Sequence, residues 1–234
     1  MKSLTDAQKA RKIADEMQAE TQARGGEFTD WFEELYAKAD GDAGMVPWGD
    51  EKAHPGLVSW VEQNGAGQNG FGQNGRAIDV GCGLGDNAVF LAEKGFAVTA
   101  IDLSQSAIDW AARRFSDSSV DFRQADLFDL PRELVGQFDL VHETYTLQAL
   151  PPAIRSKCYQ AIASLVAPRG RLLVICRSRA EDQSADGPPW PLAKSELDRF
   201  TELGLTEIST SEFLEEKLDG RQIPHLKVEY QKIC

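Results

Sequence analysis

The stretch from Arg76 to Asp86, RAIDVGCGLGD, carries the residues best suited to chemistry in this chain. An apolar run ends around Asp79, and Gly81, Gly83 and Gly85 follow at alternate positions. Glycines so placed let backbone N–H groups approach a ligand closely, as in loops that cradle nucleotides at the end of a strand. The dinucleotide fingerprint, however, is GxGxxG. Here the spacing is GxGxG, and Asp86 stands where the third fingerprint glycine would be. Asp79 and Asp86 would both repel a pyrophosphate, which needs bare N–H donors and the positive end of a helix. The loop therefore suits a cofactor that brings its own positive charge, and a dinucleotide oxidoreductase is disfavoured.

Other reactive side chains offer less. His54, His142 and His225 are scattered, and no strong base constellation is visible. His142 falls within an apolar strand and reads as a satisfied core residue, while the other two sit beside prolines. Cys82, Cys158, Cys176 and Cys234 make no CxxC pair, and no Cys/His set has zinc-ligand spacing, so no metal is expected. Cys82 and Cys176 lie in or beside apolar runs and read as buried thiols of a reducing compartment. A net charge of -12 argues against nucleic acid and against an anionic membrane surface as partners. The N-terminal MKSLTDAQKARKIADEM has no apolar signal core, and no stretch is long enough to span a bilayer. The expectation is a cytoplasmic monomer working on a small molecule.

The elements that must position the loop follow an alternating pattern. Strands are expected at RAIDV, AVTAID, VDFRQAD, FDLVHE and RLLVICR. Helices are expected between them at Asp86–Lys94, Gln105–Phe115 (capped by Ser104) and Pro152–Val166, with another at Lys194–Leu203. Such alternation implies a parallel sheet with helices on both faces. TEISTSEFL and HLKVEYQKI have no helix between them and should pair antiparallel. Upstream, Thr5–Ala23, Phe28–Ala39 and Pro55–Gln63 read as helices. QNGAGQNGFGQNG, a triple QNG at a five-residue period, reads as a flexible linker. The chain thus divides into an N-terminal helical segment over 1–62, a linker over 63–75 and a core over 76–234.

S-adenosylmethionine fits the electrostatic requirement: it has a sulfonium and an ammonium, and no phosphate. DVGCGLGD resembles the first motif of class I S-adenosylmethionine-dependent methyltransferases, and AIDLS, QADLFDL and FDLVHE follow in that group's order. The resemblance implies a Rossmann-like α/β fold, a seven-stranded, mostly parallel sheet of order 3-2-1-4-5-7-6 with the last strand antiparallel. It implies a loop of Asp79, Gly81, Cys82, Gly83 and Gly85 against the cofactor's amino-acid end. Asp102, with Leu103 beside it, would take both ribose hydroxyls; Asp126 and the N–H of Leu127 would take the adenine. The end of the fourth strand would face the methyl group, making Glu143 and Tyr145 candidates.

Three further pieces narrow the resemblance. Trp31 and Trp48 precede the core, IRSKCY carries Arg155, and GPPWP carries Trp190. Together they resemble the thiopurine S-methyltransferase group and the plant thiol and halide methyltransferases. In that group an N-terminal lid with Trp covers the cofactor, an Arg matching Arg155 lines the acceptor side, and GPP plus an aromatic closes the pocket. Leu35 stands where those relatives often carry a second Trp. The function implied is methyl transfer to a small acceptor, a thiol or other soft nucleophile. A non-catalytic S-adenosylmethionine-binding protein and a small-molecule O- or N-methyltransferase are the alternatives. Bland readings remain beside these: the aromatics at helical spacing also serve packing, and Arg155 also reads as a solvated helix residue.

Overall fold

The computed structural model describes residues 4–64, 75–185, 187–216 and 220–233. The strands are β1 (Arg76–Val80), β2 (Ala97–Asp102), β3 (Asp121–Gln124), β4 (Phe138–Thr144), β5 (Val166–Arg177), β6 (Leu205–Glu216) and β7 (Gln222–Lys232). They form one sheet of order β3-β2-β1-β4-β5-β7-β6. The pairings from β3 through β5 are parallel, and β7 runs antiparallel to both β5 and β6. This is the topology expected from the sequence. The helices are α1 (Leu4–Ala23), α2 (Asp30–Ala39), α3 (Pro55–Asn64), α4 (Asp86–Glu93), α5 (Gln105–Arg114), α6 (Pro152–Leu165), α7 (Lys194–Leu197) and α8 (Arg199–Glu202).

The central strands read as continuous apolar runs because both of their faces are covered. Ile78, Val141, Leu172 and Val174 share one cluster with Tyr159 and Ile162 of α6 and Phe200 of α8. Ala77, Leu140, Leu173 and Ile175 belong to a second cluster with Leu57 and Trp60 of α3 and Leu91 of α4. So α3, grouped by sequence with the N-terminal segment, packs on the sheet itself. Most of the QNG segment, residues 65–74, lies outside the described residues.

The expected helix over Lys194–Leu203 is instead two short turns. Backbone bonds three residues apart, Glu196 N–H to Ala193 O at 3.1 Å and Thr201 N–H to Asp198 O at 2.9 Å, tighten the winding. That winding buries both Leu197 and Phe200 against the sheet.

The strand order reverses around β1, which lies between β2 and β4. Open α/β sheets bind ligands in the crevice outside the carboxyl ends of the strands at such a point. The glycine loop leaves β1 there. Ahead of it, α2 is fastened to the start of α5 by Glu33, whose carboxylate accepts from Ser104 Oγ at 2.6 Å and from Ser106 Oγ at 2.5 Å. The N-terminal segment is thereby held over the end of β2.

Candidate active site

Beyond the carboxyl ends of β1, β2 and β4 lies a cleft of about 980 Å³. That is the upper end of the range for small-molecule sites, roughly 300–1,000 Å³, and leaves room for a nucleoside-sized ligand beside a second small molecule. Gly81, Cys82, Gly83, Asp102, Leu103, Asp126 and Leu127 line it. Trp31, Tyr36 and Trp48 line it from the N-terminal segment. His54, Tyr145, Arg177, Pro188, Pro189 and Glu215 line it as well.

The glycine loop is braced from behind. Arg114 donates to both oxygens of Asp86, at 2.9 and 3.0 Å, and to the carbonyl of Leu84 at 2.7 Å. The charge of Asp86 is therefore spent on Arg114 rather than offered to a cofactor. Gly83 N–H donates to Asp102 Oδ2 at 2.9 Å, and Ser104 N–H to Asp102 Oδ1 at 3.0 Å. Burial pushes the Asp102 carboxyl up, against the lowering effect of those two N–H donors. Each oxygen keeps a lone pair for a further donor. Above the loop, Trp48 Nε1–H donates to Tyr36 Oη at 2.7 Å.

Several of the expected site residues do not line the cleft. Asp79 is buried, with Oδ1 against His142 Nδ1 at 2.7 Å, and His142 Nε2 is 2.8 Å from Thr144 Oγ1. His142 is thus a satisfied core residue. Gly85 packs toward Phe122 and Ala111 behind the loop. Trp190 sits against Phe28 at 5.7 Å between ring centroids, outside the cleft wall, while its neighbours Pro188 and Pro189 reach it.

Arg155 is the main correction. It is only 3% exposed, and its guanidinium donates to Leu147 O at 3.1 Å, Leu150 O at 2.9 Å and Glu196 Oε1 at 2.6 Å. It is not solvated and does not line the cleft; it ties a loop to α7. Arg177 does line the cleft, as do Arg11, Lys52 and Arg221; it stands at the end of β5, 5.9 Å from the centroid of the Tyr145 ring. Its Nε is buried without a hydrogen-bond partner. Sequence reasoning passed over Arg177, although its place at the carboxyl end of RLLVICR was a usable signal.

Glu143 is fully buried below the cleft. Its Oε2 accepts from Thr146 N–H at 3.0 Å and Leu147 N–H at 3.4 Å, while Oε1 has no partner. Burial, outweighing those two donors, pushes its carboxyl up to about 8 from an ordinary 4.5. The folded protein then holds a proton that the unfolded chain releases. The contribution is complete below about pH 4.5 and is lost as pH rises through about 8. Glu143→Gln keeps an acceptor for the two N–H groups and cannot ionise. Its melting temperature should hold between pH 5 and 9 where that of the native protein declines, and parallel declines in both would refute this placement of the proton.

Two of the three histidines meet in space. His54, from the loop before α3, and His225, on β7, both face the Tyr145 hydroxyl, at 2.9 and 2.7 Å from their Nε2 atoms. Tyr145 Oη donates toward Glu215 Oε2 at 3.2 Å. Tyr145 itself has φ 70, the left-handed region that a bulky residue rarely occupies. This cluster had no signature in the sequence.

Gly81 and Gly83 stand at positive φ and pack against Thr146 and Tyr36, which leaves no room for a Cβ. The site suits S-adenosylmethionine on two observations. Asp102 offers acceptors at the cleft wall, and the buried Trp31 Nε1–H has no protein acceptor. Sheet order, glycine loop and small-molecule cleft together define a Rossmann-like S-adenosylmethionine-dependent methyltransferase acting on a small acceptor. The sequence pattern of the thiopurine S-methyltransferase (TPMT) family matches residues 39–231. The chain belongs to that family.

It is 28% identical over 173 residues to a probable thiol methyltransferase 2 of Arabidopsis thaliana, covering 72% of each chain. It is also 28% identical over 175 residues to thiocyanate methyltransferase 1 of Brassica oleracea, covering 72% of this chain and 73% of the relative. Among solved structures, the 1,6-didemethyltoxoflavin-N1-methyltransferase of Burkholderia thailandensis, with bound 1,6-didemethyltoxoflavin and S-adenosylhomocysteine, shares the fold. The match has a TM-score of 0.66 at 20% identity and covers 87% of this chain and 88% of that one. Among the described residues no helix is long and apolar enough to cross a membrane.

Proposed function

We propose that the residues lining the cleft divide the work: the glycine loop, Asp102, Asp126 and Leu127 hold S-adenosylmethionine, and His54, Tyr145 and Arg177 receive a soft, thiol-class acceptor. Bound there, the cofactor supplies a methyl group already activated by its sulfonium. The chain has then to align, cover and dry the site. The backbone at Gly81 and Gly83 takes the amino-acid end, and Asp102 takes the ribose hydroxyls. Asp126 and Leu127 N–H meet the adenine. Trp31, Tyr36 and Trp48, with α1 and α2 behind them, cover this half as a lid. Arg177 attracts an anionic or polarisable acceptor, since a nearby guanidinium favours a thiolate. The relatives' names, a probable thiol methyltransferase and a thiocyanate methyltransferase, agree with that choice. The observation that carries the reading is that acceptor-type groups and a cofactor-type loop line one cleft. Transfer of labelled methyl from S-adenosylmethionine to a panel of small thiols tests it; no labelled product from any of them would sink the acceptor assignment.

Asp102→Ala removes a charge-assisted acceptor for two hydroxyls. S-adenosylhomocysteine should bind about 2–3 kcal/mol more weakly in isothermal calorimetry. An unchanged affinity would take Asp102 out of the cofactor half.

A further inference from the structure

Resting on the methyltransferase reading above, we propose that Tyr145, His54, His225 and Glu215 form a proton relay that deprotonates the acceptor, so that the preferred acceptor carries an X–H proton, as a thiol does. The backbone fixes each imidazole tautomer. Gly56 N–H donates to His54 Nδ1 at 3.1 Å, so that nitrogen is an acceptor and the ring proton sits on Nε2, aimed at Tyr145. His225 Nδ1 lies 2.8 Å from the carbonyl of Ile223, so it carries the proton and leaves Nε2 with a lone pair toward Tyr145. With these tautomers His54 Nε2–H donates to Tyr145 Oη, and the one Tyr145 Oη–H has two acceptors in reach, of which His225 Nε2 at 2.7 Å takes it in preference to Glu215 Oε2 at 3.2 Å.

The cluster can also hold one proton more. Once His225 is an imidazolium, Tyr145 turns its hydroxyl to Glu215 Oε2 at 3.2 Å, and His225 Nε2 faces the same oxygen at 3.3 Å. The ring nitrogens and the hydroxyl keep partners in both states, and the protonated state alone gives Glu215 Oε2 two donors from this cluster. The entrance is in the cleft, lined by His54, Tyr145 and Glu215; the proton sink, His225, is fully buried under Phe213, with ring centroids 5.1 Å apart. The step balances. The X–H bond breaks and its pair stays on X; Tyr145 Oη takes that proton while its own passes to the lone pair of His225 Nε2. The imidazolium is offset by Glu215, and the pair on X becomes the nucleophile.

The charged groups around Tyr145 are Asp50, His54, Arg177, Glu215 and His225, with Glu216 and Arg221 on the same cleft wall. His54, Glu215 and His225 also have ligand atoms within 4.8 Å of one another, the reach of a metal site. A metal on His54 Nε2 would require a proton on Nδ1, because metal-bound imidazole donates through its other nitrogen. Nδ1 instead faces an N–H donor, and Tyr145 Oη stands among the three ligands. The relay accounts for both facts.

The test compares acceptors with and without a proton. With saturating S-adenosylmethionine, kcat is measured on an aliphatic thiol and on thiocyanate across pH. For His225→Gln the ratio of thiol to thiocyanate turnover should fall at least about tenfold, and the acid limb of the thiol profile should flatten. Equal losses on both acceptors, or none, would overturn the relay. Independently of turnover, long-range 15N–1H spectra of the histidine-labelled protein with S-adenosylhomocysteine should show His54 protonated at Nε2 and His225 at Nδ1. Tyr145→Phe should shift both rings together. A proton on His54 Nδ1, or stoichiometric zinc binding that perturbs both rings, would overturn the relay in favour of a metal site. If neither acceptor turns over while S-adenosylhomocysteine still binds, the acceptor class fails and the tautomers alone decide the relay.

Discussion

Gly83→Val should abolish useful cofactor binding in a protein that still folds. Gly83 has φ +51, a left-handed backbone that β-branched side chains resist. A Cβ there would lie 2.8 Å from Tyr36 Oη and 3.9 Å from Trp48 Nε1. Tyr36 is buried among Leu84, Trp110 and Val46 and has little room to retreat. The loop must move instead, and with it the Gly83 N–H that orients Asp102. Cofactor space, cover and the ribose acceptor are disturbed at once. Calorimetry with S-adenosylhomocysteine should show a loss of at least about a hundredfold, or about 2.7 kcal/mol. Circular dichroism should report the same secondary structure. Native affinity in this variant would remove the loop from the site.

Arg155→Ala should act on stability first and on the acceptor only through it. The guanidinium serves two loop carbonyls and Glu196, and truncation leaves all three short of a donor. Breaking a buried ion pair from one side costs about 3–5 kcal/mol. Arg179 also contacts Glu196, at 2.7 Å, and continues to neutralise it. The loss should therefore fall near the lower end, about 3 kcal/mol, which in a chain of this size lowers the melting temperature by about 6–12 °C. Arg155→Lys should rescue little, because one ammonium nitrogen must stand in for three guanidinium nitrogens that each reach a different acceptor. Gln148 and Ala149, in the tied loop, belong to the cleft wall, so acceptor kinetics should decline along with stability. A variant with native melting and a selective tenfold loss in acceptor kcat/KM would return Arg155 to the cleft.

The reading of Arg155 shows how far linear sequence reaches. Its place after the fourth strand matched the family, but whether an arginine on a helix points to solvent, to a cleft or to a pair of carbonyls depends on what packs above it. Here α7 brings Glu196 over the helix. Arg177 illustrates the converse. It ends an apolar strand, and only the bend of the cleft wall places it beside Tyr145.

What the sequence determined by itself was local or strictly periodic. The apolar runs set the strands, the glycine spacing set the loop, and the alternation of strands and helices set a parallel sheet with its last strand reversed. Motif order then located Asp102 and Asp126, because residues at strand ends are placed by the strand. The tertiary structure decided which carboxylates were already taken: Asp86 by Arg114, Asp79 beside His142, and Glu143 held as a buried acid. It also assembled His54, Tyr145, Glu215 and His225 from four separate stretches of the chain. No spacing rule can announce such a cluster, since its members meet only when β7 inserts between β5 and β6 and carries His225 to the Tyr145 hydroxyl.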